Sequence, residues 1–143
     1  MRLGRDWIEA HIPHRGAMCL LDGVVDWDER RIVCRASSHR DAANPLRVAG
    51  RLPAACGIEY AAQAMAVHGA LAGGAPLGPG VLASVRGVRL GAARLDDDAG
   101  PLRITAERLG GEAGSVLYAF SVASGERELL SGRAAVVLEP APR

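Results

Sequence analysis

The carboxylate best placed for chemistry is Glu59, with Gln63 four residues further on. Residues four apart share a helix face, and the run from Leu52 to Ala72 reads as one long helix. From Ala61 to Ala72 nearly every side chain is small or aliphatic, with Ala and Gly on all sides. A helix apolar all round is a buried helix. A carboxylate in that setting loses hydration, its pKa rises, and proton transfer near neutrality comes within reach. The competing reading is an exposed Glu in the first turn, favoured there by the helix dipole. Spacing alone leaves both open.

The other residue types that could do chemistry are less well placed. His68 stands on the apolar helix, where a satisfied core histidine is the commoner role, and His39 lies in a loop from which it could swing toward a site or simply face solvent. His11 has no special context. Cys19, Cys34 and Cys56 are odd in number and lack ligand spacing, which argues against a disulfide framework and against zinc. Asp96, Asp97 and Asp98 read as a solvated turn rather than a metal site. No metal and no cofactor is implied.

Composition bounds the rest. The chain has 143 residues, of which 49% are hydrophobic, and a net charge of +1, so a single domain over 1–143 with a real core is expected. The charge balance excludes a general nucleic-acid binder and a disordered chain. All 17 basic residues are Arg, the better clamp for phosphate and carboxylate. No apolar run is long enough to span a membrane, and the opening residues lack a signal-peptide core. A cytoplasmic protein, contacting neither membrane nor nucleic acid, is expected.

The elements that must hold Glu59 follow in order. Residues 5–11 form a short helix before Pro13. Ala17–Trp27 reads as a strand with Met18–Leu21 its most buried part, and Arg31–Ala36 returns after a polar turn. Ser37–Arg51 is a loop broken by Asn44-Pro45 and Gly50; a loop of this length in a compact domain is more often functional than not. The helix enters through Pro53, suited to a first turn, spans about 30 Å at 1.5 Å per residue, and stops at Gly73-Gly74 and Pro76. Strands follow at Val81–Leu90 (with a continuation to Leu95 left open), Leu102–Leu109, Val116–Val122 and Gly132–Glu139. Val116, Tyr118, Phe120 and Val122 share one face; Gly110, Gly111 and Gly114 mark the turn before them. Two strands, one buried helix and an antiparallel meander make an α+β chain with the layout of a hotdog fold, a sheet curled around a central helix. The sheet edge left open calls for a dimer.

Particular residues carry a resemblance. Ile12-Pro-His-Arg-Gly-Ala-Met-Cys-Leu-Leu-Asp22 resembles the opening of bacterial 3-hydroxyacyl-[acyl-carrier-protein] dehydratases of the FabA/FabZ type. Pro53 to Gln63 resembles their central-helix motif, with Pro, catalytic carboxylate and Gln at Pro53, Glu59 and Gln63. Leu82 to Leu90 resembles the strand after it. Asn44-Pro45-Leu46 and Gly-Ile-Glu-Tyr-Ala-Ala-Gln are similar to the ApeP-like dehydratase subunit of aryl polyene biosynthesis.

The resemblance implies loss of water from a 3-hydroxyacyl thioester on acyl carrier protein, in fatty-acid-like or aryl polyene synthesis, by a hotdog homodimer or heterodimer. It also implies an amide N–H at Ala54 aimed at the thioester oxygen, where charge develops; the family has Gly there. Gln63 and Asn44 join Ala54 as substrate-binding candidates. The family's histidine, however, has no counterpart: its spacing lands on Pro45 or Asn44, and neither is a general base. His14, in the opening motif, is the candidate to share proton work with Glu59; the alternative is a packing role. Arg86, Arg89 and Arg94 lie along a strand that could meet the acidic carrier or its phosphate, or could merely keep that strand soluble. Arg15 reads as a structural partner of a carbonyl or acid. Two other functions stay open: a weakly catalytic or non-catalytic subunit that stabilises a partner dehydratase, and a hotdog thioesterase whose helix carboxylate activates water.

Overall fold

In the computed structural model, which describes residues 3–12, 14, 16–72, 80–97, 100–112 and 114–138, the alternation of the sequence becomes one seven-stranded antiparallel sheet. Its strands are β1 (Leu3–Gly4), β2 (Gly23–Trp27), β3 (Arg31–Ala36), β4 (Gly80–Leu90), β5 (Leu102–Glu112), β6 (Ser115–Ser124) and β7 (Arg127–Leu138), in the spatial order β1-β2-β3-β5-β6-β7-β4. Helix α1 (Arg5–His11) follows β1, and α2 (Gly57–Ala72) lies between β3 and β4. The segment holding α2 therefore carries the chain from the β3 side of the sheet to its far edge, and α2 packs on β3, β5 and β6 on the way. This is the hotdog arrangement. Pro13, Arg15, the Gly73-Gly74 and Pro76 stop, Asp98 and Glu139 lie outside the described residues.

Inward positions of the strands are apolar because a pleated strand alternates its faces. Leu102, Ile104 and Ala106 of β5 and Val116, Tyr118, Phe120 and Val122 of β6 are buried toward α2, as their spacing required. The helix answers with Tyr60, Ala61, Ala64, Met65, Val67 and His68, all buried. Its entry is close: a Cβ on Gly57 would stand 2.5 Å from Leu130 Cδ2 of β7, so a glycine lets the first turn seat against the sheet.

Several boundaries differ from the sequence reading, each for a local reason. The helix does not begin at Leu52. Leu52 and Ala54 pair with residues 93–95 instead, Leu95 N–H donating to Leu52 O (2.9 Å) and Ala54 N–H to Ala93 O (3.0 Å). A 3-10 turn, Ala54–Cys56, then leads into α2. The same pairing ends β4 at Leu90 rather than Leu95. Residues 17–22 are not strand: Gly16–Met18 is a 3-10 turn closed by Cys19 N–H donating to Gly16 O (3.0 Å), and the buried Leu20 bonds to side chains rather than to a ladder. Gly110 and Gly111 belong to β5, whose pairing with β6 shifts register between Arg108 and Gly110, so the turn comes later than the glycines suggested.

Candidate active site

Glu59 sits in the first turn of α2 with a third of its side chain (34%) exposed, and His14 reaches it from the segment after α1: Nε2 lies 3.0 Å from Glu59 Oε1. The His14 side chain is 25% exposed, yet its Nδ1 is buried with no hydrogen-bond partner among the described residues. The expectation of a deeply desolvated Glu59 is therefore corrected. The carboxylate is half-open at a helix end that favours negative charge, and its environment is set by two polar neighbours.

The second neighbour is Gln63, fully buried one turn along α2. Its Nε2 donates to Met18 O (2.7 Å) and to Glu59 Oε1 (3.3 Å), while its Oε1 accepts from Leu20 N–H (2.9 Å). One amide thus holds the strap that carries His14 to the helix that carries Glu59, which is why residues 18–20 forgo a strand ladder. Arg5 Nη2 adds a bond to Gly16 O (2.8 Å), and Ser38 Oγ one to Leu20 O (2.8 Å).

Ala54 does not fit its expected part. Its N–H is already donated to Ala93 O, and the residue is buried. That amide is not free to polarise a carbonyl. The next residue, Ala55, stands exposed within the same turn, where leading N–H groups of a helix lack internal partners.

Asn44 is buried, and its side chain serves the loop. Nδ2 donates to Ser38 O (2.9 Å) and Tyr60 Oη (3.1 Å), and Oδ1 accepts from Leu46 N–H (2.9 Å), the local Asx turn that Asn before Pro favours. Both Nδ2 protons are taken. Tyr60 Oη also lies 2.8 Å from Ser38 Oγ, and burial raises its pKa. The Asn44–Tyr60–Ser38 network frames the loop behind the pair and was not read from the sequence, although Tyr60 adjoins Glu59.

Two other expectations are revised. Asp96 is no solvated turn residue: its side chain is 6% exposed. It accepts from Arg94 Nη2 (2.7 Å) and Nε (3.0 Å), Arg47 Nη1 (3.0 Å) and Leu52 N–H (3.2 Å). The Arg94 guanidinium first, with the Leu52 amide and Arg47 behind it, holds its carboxyl well below the usual carboxylate range. Arg94 is therefore part of a clamp that pins the helix entry. His39 is not a mobile loop residue but fully buried. His68 is a core histidine, its Nε2 2.8 Å from Asp28 O and its Nδ1 2.7 Å from Tyr118 Oη. His11 is exposed and stacks on Trp7 at 3.9 Å.

A model of the ApeP-like family, described as ApeP dehydratase, matches residues 7–142. Among solved structures, the dehydratase heterocomplex ApeI:P from Xenorhabdus doucetiae is similar with a TM-score of 0.80 at 23% identity, covering 94% of this chain and 91% of that one. A thioesterase variant from Pseudomonas aeruginosa gives a TM-score of 0.59 at 12% identity, covering 82% and 81%. AziG from S. sahachiroi gives 0.56 at 19%, covering 82% and 90%. No curated protein matches the chain. At these identities the structural likenesses establish the fold.

Proposed function

The chain belongs to the ApeP-like dehydratase family, and on that premise we propose that it removes water from a 3-hydroxyacyl thioester on acyl carrier protein, giving the 2-enoyl thioester, with His14 and Glu59 as the acid–base pair. The observation that carries this reading is the 3.0 Å contact between His14 Nε2 and Glu59 Oε1. It supplies an imidazole at the helix carboxylate in a chain that lacks the histidine at the family's usual position.

Elimination needs a base for the α-proton, acidified by the thioester, and an acid for the departing hydroxyl. An imidazolium–carboxylate pair offers both. The Glu59 carboxylate takes the α-proton as the double bond forms. His14 Nε2–H protonates the hydroxyl, the carbon–oxygen bond breaks, and water leaves. The proton gained by Glu59 then passes across the short contact to Nε2 and restores the pair. Gln63 keeps the two elements in register. The thioester oxygen faces the head of the helix, where the Ala55 amide replaces the occupied Ala54 amide as donor. Asn44 holds the loop wall rather than the substrate.

A second reading, a subunit that works beside a partner hotdog dehydratase, is favoured by the similarity to a heterocomplex. One experiment separates the two: a 3-hydroxyacyl carrier protein is incubated with the purified chain and followed by mass. Loss of one water, abolished in Glu59→Gln, is the expected result. Absence of turnover until a second hotdog subunit is added would transfer the chemistry to that subunit, and release of free acid instead would make the chain a thioesterase.

A further inference from the structure

The sheet face turned away from α2 carries a charge pattern that follows from register. On β6 the outward residues Ala119, Ser121 and Ala123 are small. Ala119 lies between Glu107 of β5 and Arg133 of β7, and Ala123 lies between Arg103 of β5 and Glu128 of β7. Ser121, midway, has Thr105 on one side and Ser131 on the other. Four exposed charges thus mark the corners of a rectangle about 10 Å by 13 Å, with unlike signs at adjacent corners and like signs across each diagonal. None of the four forms an ion pair among the described residues, since a whole strand separates the unlike charges of each row.

Such a pattern is complementary to itself. A half-turn about the line of β6 lays the outer face of a second copy on the first, a two-fold contact in which every pairing occurs twice. Glu107 then falls over Arg133 of the second copy, and Arg103 over its Glu128. The small residues meet along the axis, and the half-exposed Leu117 meets its own counterpart. The pattern also selects the angle. Stacked sheets lie either nearly aligned or close to right angles. A right-angled stack has its two-fold along a diagonal of the rectangle, which sets glutamate on glutamate and arginine on arginine. Only the aligned stack brings unlike charges together.

We propose that this face is an interface between two copies of the chain, stacked back to back with strands aligned and joined by Glu107–Arg133 and Arg103–Glu128 pairs. The occupant is a second copy because the complement of the pattern is the pattern itself. The small floor lets the sheets approach, and the arginine stems lie over it. At the rim, Arg31, which pairs with Glu107, faces Arg86 of the second copy, where solvent ions screen the repulsion. The contact is separate from pairing at the outer edge of β4, the last strand of the sheet, and independent of the His14–Glu59 reading. Three strands by five residues make a patch of about 14 Å by 16 Å, small for a permanent complex, so the association is weak and concentration-dependent.

Sedimentation velocity of the full chain over a concentration series, at low and high salt, tests it. The mass should double with concentration, from one chain to two or from an edge-paired dimer to four chains, and the doubling should recede with salt. Glu107→Arg and Arg133→Glu should each weaken the doubling at least about tenfold, because each reversal sets like charges together twice. Two recoveries then separate this contact from edge pairing and from damage to the fold. The double variant Glu107→Arg with Arg133→Glu should regain the doubling, and so should an equimolar mixture of the two single variants, in which every facing pair is again unlike. A wild type that never exceeds the single chain or the edge dimer would overturn the proposal. So would single reversals without effect, or the absence of recovery in both the double variant and the mixture.

Discussion

Two carboxylates at the helix entry, Glu59 and Asp96, both meet basic groups from distant parts of the chain, and they end in opposite conditions. Asp96 is almost wholly enclosed, and its oxygens take four hydrogen bonds from two arginines and an amide. Glu59 is a third exposed and, among the described residues, meets one imidazole and one amide, and the Nδ1 of that imidazole is buried with no partner among them. A carboxylate with every lone pair occupied holds structure together and has no capacity left for a substrate. One with capacity to spare, beside an imidazole nitrogen that can donate or accept a proton, is where chemistry belongs. The contrast also locates the clamp's purpose: Asp96 fixes Leu52 and the 93–95 segment, and those fix the turn from which Glu59 projects.

The contrast breaks most clearly if the two acids are replaced by their amides. Glu59→Gln removes the proton acceptor while keeping size and the bond from Gln63, so dehydration should fall about 10²- to 10⁴-fold with Tm nearly unchanged. Asp96→Asn should do the reverse. Removing one partner of a nearly buried ion pair leaves charge uncompensated and costs roughly 3 kcal/mol, or about 6–12 °C in Tm for a chain of this size, with the rate of the remaining folded protein within a few fold. Rate and thermal melting measured on both variants decide it; a Glu59→Gln protein that melts early, or an Asp96→Asn protein that is stable and inactive, would exchange the two roles.

His14→Asn sharpens the same comparison from the other side. The carboxylate survives but loses its proton donor, so the rate should drop about ten- to a hundredfold, less than for Glu59→Gln. Full activity would make His14 a packing residue.

What the sequence disclosed about these two sites is uneven, for physical reasons. Glu59 and Gln63 were legible because helical spacing is a local rule, and the inward faces of β5 and β6 because alternation is another. His14 was named through its motif, but its contact with Glu59 depends on the Gln63 amide bonding Met18 and Leu20, 45 and 43 residues earlier in the chain. A long-range bond from one side chain turned an expected strand into a turn, and no periodicity foretells that. Asp96 was misread because an acidic triplet beside Gly-Pro looks like a solvated turn; only the folded loop brings Arg47 to it. Ala54 kept its amide, as the motif required, yet a two-residue pairing with the 93–95 segment consumed it.

His68 supplies the smallest effect and a control outside both acids. The carbonyl of Asp28 can only accept, so Nε2 carries the proton, and in the neutral ring Nδ1 accepts from the Tyr118 hydroxyl. Burial favours the neutral form of this imidazole. Burial lowers its pKa, with Arg108 acting in the same direction and Asp28 against it. The Tyr118 hydroxyl, pushed up to about 12 by burial, stays protonated. A histidine whose folded pKa is depressed binds fewer protons than the unfolded chain below about pH 6.5. Its contribution to stability is therefore complete above that pH and shrinks as the pH falls through it. Asp96, also depressed, keeps its contribution until the pH falls below about 4, the ordinary carboxylate range. Urea midpoints measured at pH 8, 5.5 and 3.5 should fall in two stages. His68→Gln should flatten the first stage and leave the second, while Asp96→Asn should do the opposite. A wild-type midpoint that holds constant from pH 8 to 5.5 would mean that His68 carries its charge inside the fold.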